Sequence, residues 1–326
     1  MLDLLTASFL GTPVWMWAAF AGLVVVLLAF DLGVLHRKHR EIGVRESLLM
    51  SGGYLALGLG FGGWVWTQLG DQAGLEYVTG FLIEKSLALD NVFVIATIFA
   101  AFAVPPAYQH RVLFWGVLGV IVLRGIMIGL GAALVSSFEW VLWIFAAFLI
   151  VMGAKMFVAK ATPSDPRENP VYRWFAARVR LTDGLREQRF FVREPDATGR
   201  RVLWATPLFA ALVMVELADV VFAVDSVPAI FAITTDPYIV YTSNIFAILG
   251  LRALYFALAA IVSRFAYLKK ALALLLVFIG GKVFVAAAMG WEKFPAHISL
   301  AVTGALLAGG VAYSIWRTRG VSPRPA

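Results

Sequence analysis

Five carboxylates stand where a carboxylate is costly. Glu84 and Asp90 fall in one long apolar run, and Glu216, Asp219 and Asp225 fall in another. A charged side chain at the centre of a bilayer costs at least ~2.5–3.5 kcal/mol on insertion scales, so such groups face a bundle interior or a water-filled cavity and mark ion pathways. Helical spacing groups them. Glu84 and Asn91 lie two turns apart on one face, and Glu216, Asp219, Ala223 and Ser226 follow a 3-4-3 spacing that also makes one face. Asp90 and Asp225 follow their acidic mates Glu84 and Asp219 at a spacing that turns them away by about a third of a turn. A break in the helix would bring all of them together, and Pro228, which lacks an N–H and frees the carbonyl of Val224, offers one. The donors are carboxylate, amide and hydroxyl oxygen, a set that suits Mg, Ca or Mn. Met214 reads as a core methionine rather than a thioether ligand. In a crowded carboxylate site protons compete with a divalent ion. The expected chemistry is therefore cation export driven by proton entry, with no enzymatic step and no resident cofactor.

The competing reading is structural ion pairing. Arg124, Arg252, Lys155 and Lys282 all fall within apolar runs and could neutralise the acids, although Lys155 can also snorkel to the surface. Lys85, adjacent to Glu84, points to a different side. Two further readings are an oxyanion transporter built on Arg124 and Arg252, and an assembly or metalation factor working through residues 160–203 and a partner. No phosphate-binding glycine loop, nucleophile elbow or zinc-protease motif is present. The glycine-rich run Gly52-Gly53 and Gly58-x-Gly60-x-Gly62-Gly63 reads as close helix packing.

The elements that must position these groups are membrane spans. Of 326 residues 61% are hydrophobic and only 14% charged, with a mean hydropathy of +0.84, whereas a soluble domain is about a quarter charged. There is no cysteine, which removes disulfides and thiolate ligands, and the four histidines are scattered. Spans of about 20 apolar residues are expected near 14–34, 47–67, 77–103, 112–135, 138–159, 204–232, 240–263, 270–289 and 297–316. With the N-terminus outside, nearly all loop Lys and Arg fall inside, and Lys293 is the lone cation in an outside loop. This distribution, rather than nucleic-acid binding, accounts for the net charge of +7 and predicts a multi-pass inner-membrane protein with its C-terminus inside. The first residues carry no basic segment of the kind that opens a secretory signal.

An internal repeat organises the spans. Glu84-x5-Asp90-Asn91-Val92 matches Asp219-x5-Asp225-Ser226-Val227, Leu123-Arg124 matches Leu251-Arg252, and the segment from Met152 to Ala159 matches that from Ile279 to Ala286. The first copy starts outside and the second inside, so the fold class expected is an all-α polytopic membrane protein of about nine helices with an inverted 3+3 repeat, as in secondary transporters that bind at the repeat interface. The parts are two N-terminal spans with a basic loop (1–75), repeat 1 (76–159), a cytoplasmic loop (160–203), repeat 2 (204–290), and a last span with a basic tail (291–326). Within the loop, residues 171–181 suit a short basic helix on an anionic leaflet. Phe190-Phe191-Val192 and Val202-Leu203-Trp204 around a Pro-Asp-Ala-Thr-Gly turn suit a hairpin.

Several segments resemble the TerC/Alx membrane protein family. They are Phe81-Leu82-Ile83-Glu84-Lys85-Ser86-Leu87-Ala88-Leu89-Asp90-Asn91, the run from Glu216 to Ala232, and the run from Tyr241 to Phe256. The resemblance extends over about residues 24–290. It implies export of Mn(II), with tellurite resistance, calcium handling or metal supply to exported enzymes as other roles in the family. Carried over by position, Glu84, Asp90, Glu216, Asp219 and Asp225 are the candidate metal ligands, with Asn91, Ser226 and Asn244 as weaker ones.

Overall fold

The computed structural model describes residues 7–35, 44–138, 140–158, 165–196, 198–258, 268–291 and 293–318. A two-residue ribbon, β1 (Ser8–Phe9) and β2 (Thr12–Pro13), leads into α1 (Val14–Leu35), α2 (Val44–Leu69), α3 (Asp71–Ala101), α4 (Pro106–Ser137) and α5 (Trp140–Val158). A short α6 (Pro170–Ala176) and the hairpin β3 (Phe191–Pro195) and β4 (Arg201–Ala205) follow. The chain ends with α7 (Pro207–Phe231), α8 (Pro237–Leu249), α9 (Leu251–Leu258), α10 (Leu268–Ala288) and α11 (Ala296–Thr318). Each expected span coincides with a helix, or in the seventh case with two, although residues 259–263 of that span lie outside the described residues. Among the described residues seven segments are long and apolar enough to cross a membrane, and α1 adds a shorter apolar stretch, Val14–Phe30. Large apolar side chains such as Leu49, Val122, Leu130 and Val151 are exposed around the bundle, the arrangement expected when lipid is the solvent. The molecule is an all-α polytopic membrane protein.

Helix ends carry familiar local signals. Proline occupies the first turn of α4, α7 and α8, where its missing N–H costs nothing. Asp236 caps α8, accepting from the N–H groups of Tyr238 and Ile239 at 2.8 and 3.3 Å. Two expectations need correction. Pro228 does not break its helix: it sits in the last turn of α7, which runs on to Phe231, so little of the helix lies beyond the disturbed bond to Val224. The break comes instead at Gly250, between α8 and α9 and two residues before Arg252. The basic helix expected over 171–181 is also shorter, ending at Ala176. The hairpin forms where it was expected, with Phe191 opposite Ala205 and Pro195 opposite Arg201.

Packing is close where glycine allows it. At Gly62 a β-carbon would lie 2.7 Å from the Tyr77 ring, and at Gly58 it would strike Phe81, so these glycines seat α2 on α3. The other glycines of that run, Gly52, Gly53, Gly60 and Gly63, face open space. At the crossing of α5 and α10 a β-carbon on Gly153 would lie 2.6 Å from the Ala273 carbonyl, and one on Gly280 would meet the Ala146 carbonyl. Gly153 and Gly280 are matched positions of the sequence repeat, and each touches the other copy at the same spacing. Likewise α3 packs on α8 as α7 packs on α4. The buried α8 stands at the centre, with residues 238–249 all buried except Tyr241.

Candidate cation site

Arg124 is the hub. It lies a little past the middle of α4, has no solvent exposure, and sends its guanidinium among α3, α7 and α8. Nη1 donates to the Glu84 carboxylate, to Asn244 Oδ1 at 2.6 Å and to Ser226 Oγ at 3.0 Å. Nη2 donates to Asp219 Oδ1 at 3.1 Å, and Nε reaches Asp219 Oδ2 at 3.4 Å. Asn244 in turn donates through Nδ2 to Glu84 Oε2 at 3.1 Å. Glu84, Asp219, Ser226 and Asn244 are each 95% or more buried. Four helices thus bring two carboxylates, an amide and a hydroxyl onto one positive charge. A guanidinium can hold this set because its donors fan out in one plane. No kink is needed for Asp219 and Ser226 to meet it, since they stand two turns apart on one face of α7.

The remaining sequence candidates lie around this hub. Glu216 rests against the backbone of α4 at Gly119, in space a β-carbon would occupy, and its Oε2 is buried without a hydrogen-bond partner. Asn91 is buried in α3 with Oδ1 likewise unpartnered. Asp90 and Asp225 belong to α3 and α7, but their side chains lie outside the described residues. Arg252 is buried in α9. Lys155 is exposed in the last turn of α5, away from the acids. Lys282 donates to Ser299 Oγ of α11 at 2.9 Å, so it serves the α10–α11 contact rather than the Arg124 cluster.

Three features escaped sequence reasoning. Lys85 donates to the Ala247 carbonyl at 3.0 Å, filling one of the carbonyls left open where α8 ends. Gly119 gives Glu216 its room, and the signal available was the recurrence of glycine along α4, where Gly116, Gly119, Gly125 and Gly131 each meet a side chain of repeat 2. The third is a second polar group at the far end of α3. There the buried Glu76 accepts from Gln72 at 2.6 Å and faces Lys293 at 3.8 Å.

A cavity of about 1260 Å³ opens at that far end, opposite the β3–β4 hairpin. Its walls include Trp17, Trp143, Phe231 and Lys282, and it reaches inward to Tyr241 and Gly125, the residue next to Arg124. At the hairpin end, α6 and the hairpin pack on the helix ends: the Phe102 ring meets Tyr172 at 5.2 Å, and Arg111 lies over Phe190 at 5.1 Å. The buried cluster therefore stands between a wide approach and an end covered by aromatic packing. Chemically, the cluster holds one positive charge in a dry setting, one residue away from the cavity wall at Gly125.

The comparisons place these features in a family. The model of the integral membrane protein TerC family matches residues 69–322. The chain is 44% identical to an uncharacterised membrane protein of Myxococcus xanthus over 314 residues, 96% of each chain. It is 46% identical to one of Rickettsia bellii over 301 residues, covering 92% of this chain and 97% of that one. Over 306 residues, 91% of this chain and 92% of the relative, it is 45% identical to Alx of Escherichia coli strain K12, whose name offers it as a candidate membrane-bound redox modulator. No solved structure matches. The chain belongs to the TerC family of integral membrane proteins.

Proposed function

We propose that this protein is a secondary transporter that exports a divalent cation, Mn(II) before Ca(II), in exchange for protons. The observation that carries the reading is the convergence of Glu84, Asp219, Ser226 and Asn244 on a buried cation beside the inner end of a wide cavity. With both carboxylates ionised, Arg124 neutralises only one of two charges, which leaves the cluster room for further positive charge. Its donors are hard oxygens, the class preferred by Mn, Mg and Ca. The unpartnered Glu216 Oε2 and Asn91 Oδ1 supply further oxygens on the same two helices. The charge bias of the loops supports a cytoplasmic-membrane location with the N-terminus outside and the C-terminus inside, so that the cavity opens outward. The oxyanion reading is weaker, since all three nitrogens of Arg124 are engaged by protein oxygens. The redox role in the name of a relative could not run on thiol chemistry here, because the chain has no cysteine.

The test is Mn(II) flux in proteoliposomes, with and without a pH gradient, for wild type and Asp219→Asn. Export predicts gradient-stimulated flux that Asp219→Asn abolishes. Flux that ignores the gradient removes the antiport, and no flux, with unchanged cellular Mn on expression, removes the transporter. Normal cellular Mn handling that is lost only when part of 160–203 is deleted would favour the metalation-factor reading.

A further inference from the structure

The β3–β4 hairpin leaves two large apolar side chains, Phe191 and Leu203, in the open beside two arginines. The register pairs Phe191 with Ala205, Arg193 with Leu203 and Pro195 with Arg201, so these side chains share one face. Apart from the buried Ala205, that face is the exposed one: Phe191 is 45% and Leu203 59% exposed, with Arg193 and Arg201 exposed beside them. The other face, carrying Val192, Glu194, Val202 and Trp204, is half-buried and bound to the protein, since Arg186 donates to Glu194 at 2.6 Å. A hairpin face turned to water is expected to be polar, yet this one sets Phe191 and Leu203 between its arginines.

The hairpin is also fixed in place. Only Thr206 separates β4 from α7, and it ties back to the start of β3, donating from its N–H to the Phe190 carbonyl at 2.9 Å and from Oγ1 to the Arg189 carbonyl at 2.7 Å. The rings of Phe191 and Phe209, the latter in the first turn of α7, are 4.4 Å apart. The exposed face is therefore held beside the point where α7 enters the apolar layer.

We propose that this face rests on the bilayer, with Phe191 and Leu203 at the level of the headgroups and Arg193 and Arg201 binding the phosphates of anionic lipids. Aromatic and basic residues at a membrane boundary suit both sides of that surface, and the arginine fork matches phosphate oxygens. The same pairing recurs at the end of α6, where the guanidinium of Arg178, just past the helix, stacks 4.4 Å from the exposed Trp174 ring. Apolar area, positive charge and continuity with a membrane helix favour lipid over an acidic soluble protein, which would not need the exposed face at the foot of α7. The inference depends on the membrane-spanning fold and not on what is transported.

The test is hydrogen exchange of the full chain in nanodiscs of neutral lipid and of the same lipid with anionic phosphatidylglycerol. Exchange over residues 191–204 should slow in the anionic discs and recover in high salt. Arg193→Gln with Arg201→Gln should weaken the effect by about fivefold for each arginine removed, and Leu203→Ser should weaken it in both lipids. Equal exchange in neutral and anionic discs overturns the proposal, as does slowing that appears only when a soluble acidic protein is added.

Discussion

Replacing Arg124 with Gln removes the one cation in the buried cluster and leaves Glu84 and Asp219 facing each other without it. Arg124 makes one close charge-assisted bond to Glu84, one of 3.1 Å to Asp219 and a weak third at 3.4 Å. Two good bonds to charged partners at about 1.5–3 kcal/mol each give a loss of about 3–6 kcal/mol. Breaking a buried pair from one side independently suggests about 3–5 kcal/mol. Equilibrium unfolding in bicelles should therefore show Arg124→Gln destabilised by about 3–5 kcal/mol. Adding Asp219→Asn should recover part of this, with a coupling energy of about 1–3 kcal/mol. If the cluster is a cation site, a divalent ion can take the vacated place: Mn(II) at a hundredfold excess over its dissociation constant adds about 2.7 kcal/mol. Arg124→Gln should accordingly be stabilised by Mn(II) more than wild type. A loss within about 0.5 kcal/mol, as at a surface site, would refute the ion-pair geometry. Full destabilisation with no Mn(II) effect in either protein would refute the cation reading and leave a purely structural network.

Gly119→Ala changes no charge, yet it should displace the Glu216 carboxylate from the backbone of α4, and transport flux should fall several-fold with protein abundance unchanged if Glu216 is on the path. At the α5–α10 crossing Gly280→Ala should cost about 1–3 kcal/mol by overpacking against the Ala146 carbonyl, while Gly281→Ala, facing open space, should be neutral or slightly stabilising in the same thermal unfolding series. Burial holds the Asp236 carboxyl above its usual range, despite the two backbone N–H bonds that oppose the shift. A raised folded value means that its contribution is fully present in acid, below the ordinary carboxylate range, and is lost as the pH rises through the folded value. Asp236→Asn keeps the cap and should flatten that dependence, whereas Asp236→Ala should flatten it and also lie about 1 kcal/mol below Asp236→Asn throughout; stability measured from pH 3 to 8 separates them.

The helices were legible because lipid imposes length and apolarity on any segment that crosses it, and among the described residues seven segments meet those terms, with a shorter apolar stretch at Val14–Phe30. The hairpin was legible from two β-rich triplets around a turn. Three things were not. A proline marks a possible break without fixing it, and Pro228 lies too near the end of α7 to matter, while the true interruption at Gly250 has only a glycine to announce it. The roles of Lys85 and Lys282 depend on which neighbour lies within reach, Ala247 in one case and Ser299 in the other, and helical spacing says nothing of neighbours. The convergence on Arg124 needed four helices to be placed at once, so a single-helix argument could group Asp219 with Ser226 but could not bring either to Glu84.

That convergence also changes the relation between ion pairing and cation binding, which the sequence set against each other. Two carboxylates brought together in the middle of a bilayer bundle repel and carry a large desolvation cost, so a site preorganised for a divalent ion could not stay assembled while empty. A guanidinium from a neighbouring helix removes that difficulty. It holds Glu84, Asp219, Ser226 and Asn244 in place and, being singly charged, satisfies the two carboxylates incompletely. If the protein exchanges a divalent ion for protons as proposed, the arriving ion would compete with Arg124 on favourable electrostatic terms, and a proton, neutralising one carboxylate, would return the advantage to Arg124. On the proposed function, ion pairing would be the resting state of the cation site, and α4, which carries Arg124 against α7 and α8, would be the helix whose position differs between the two.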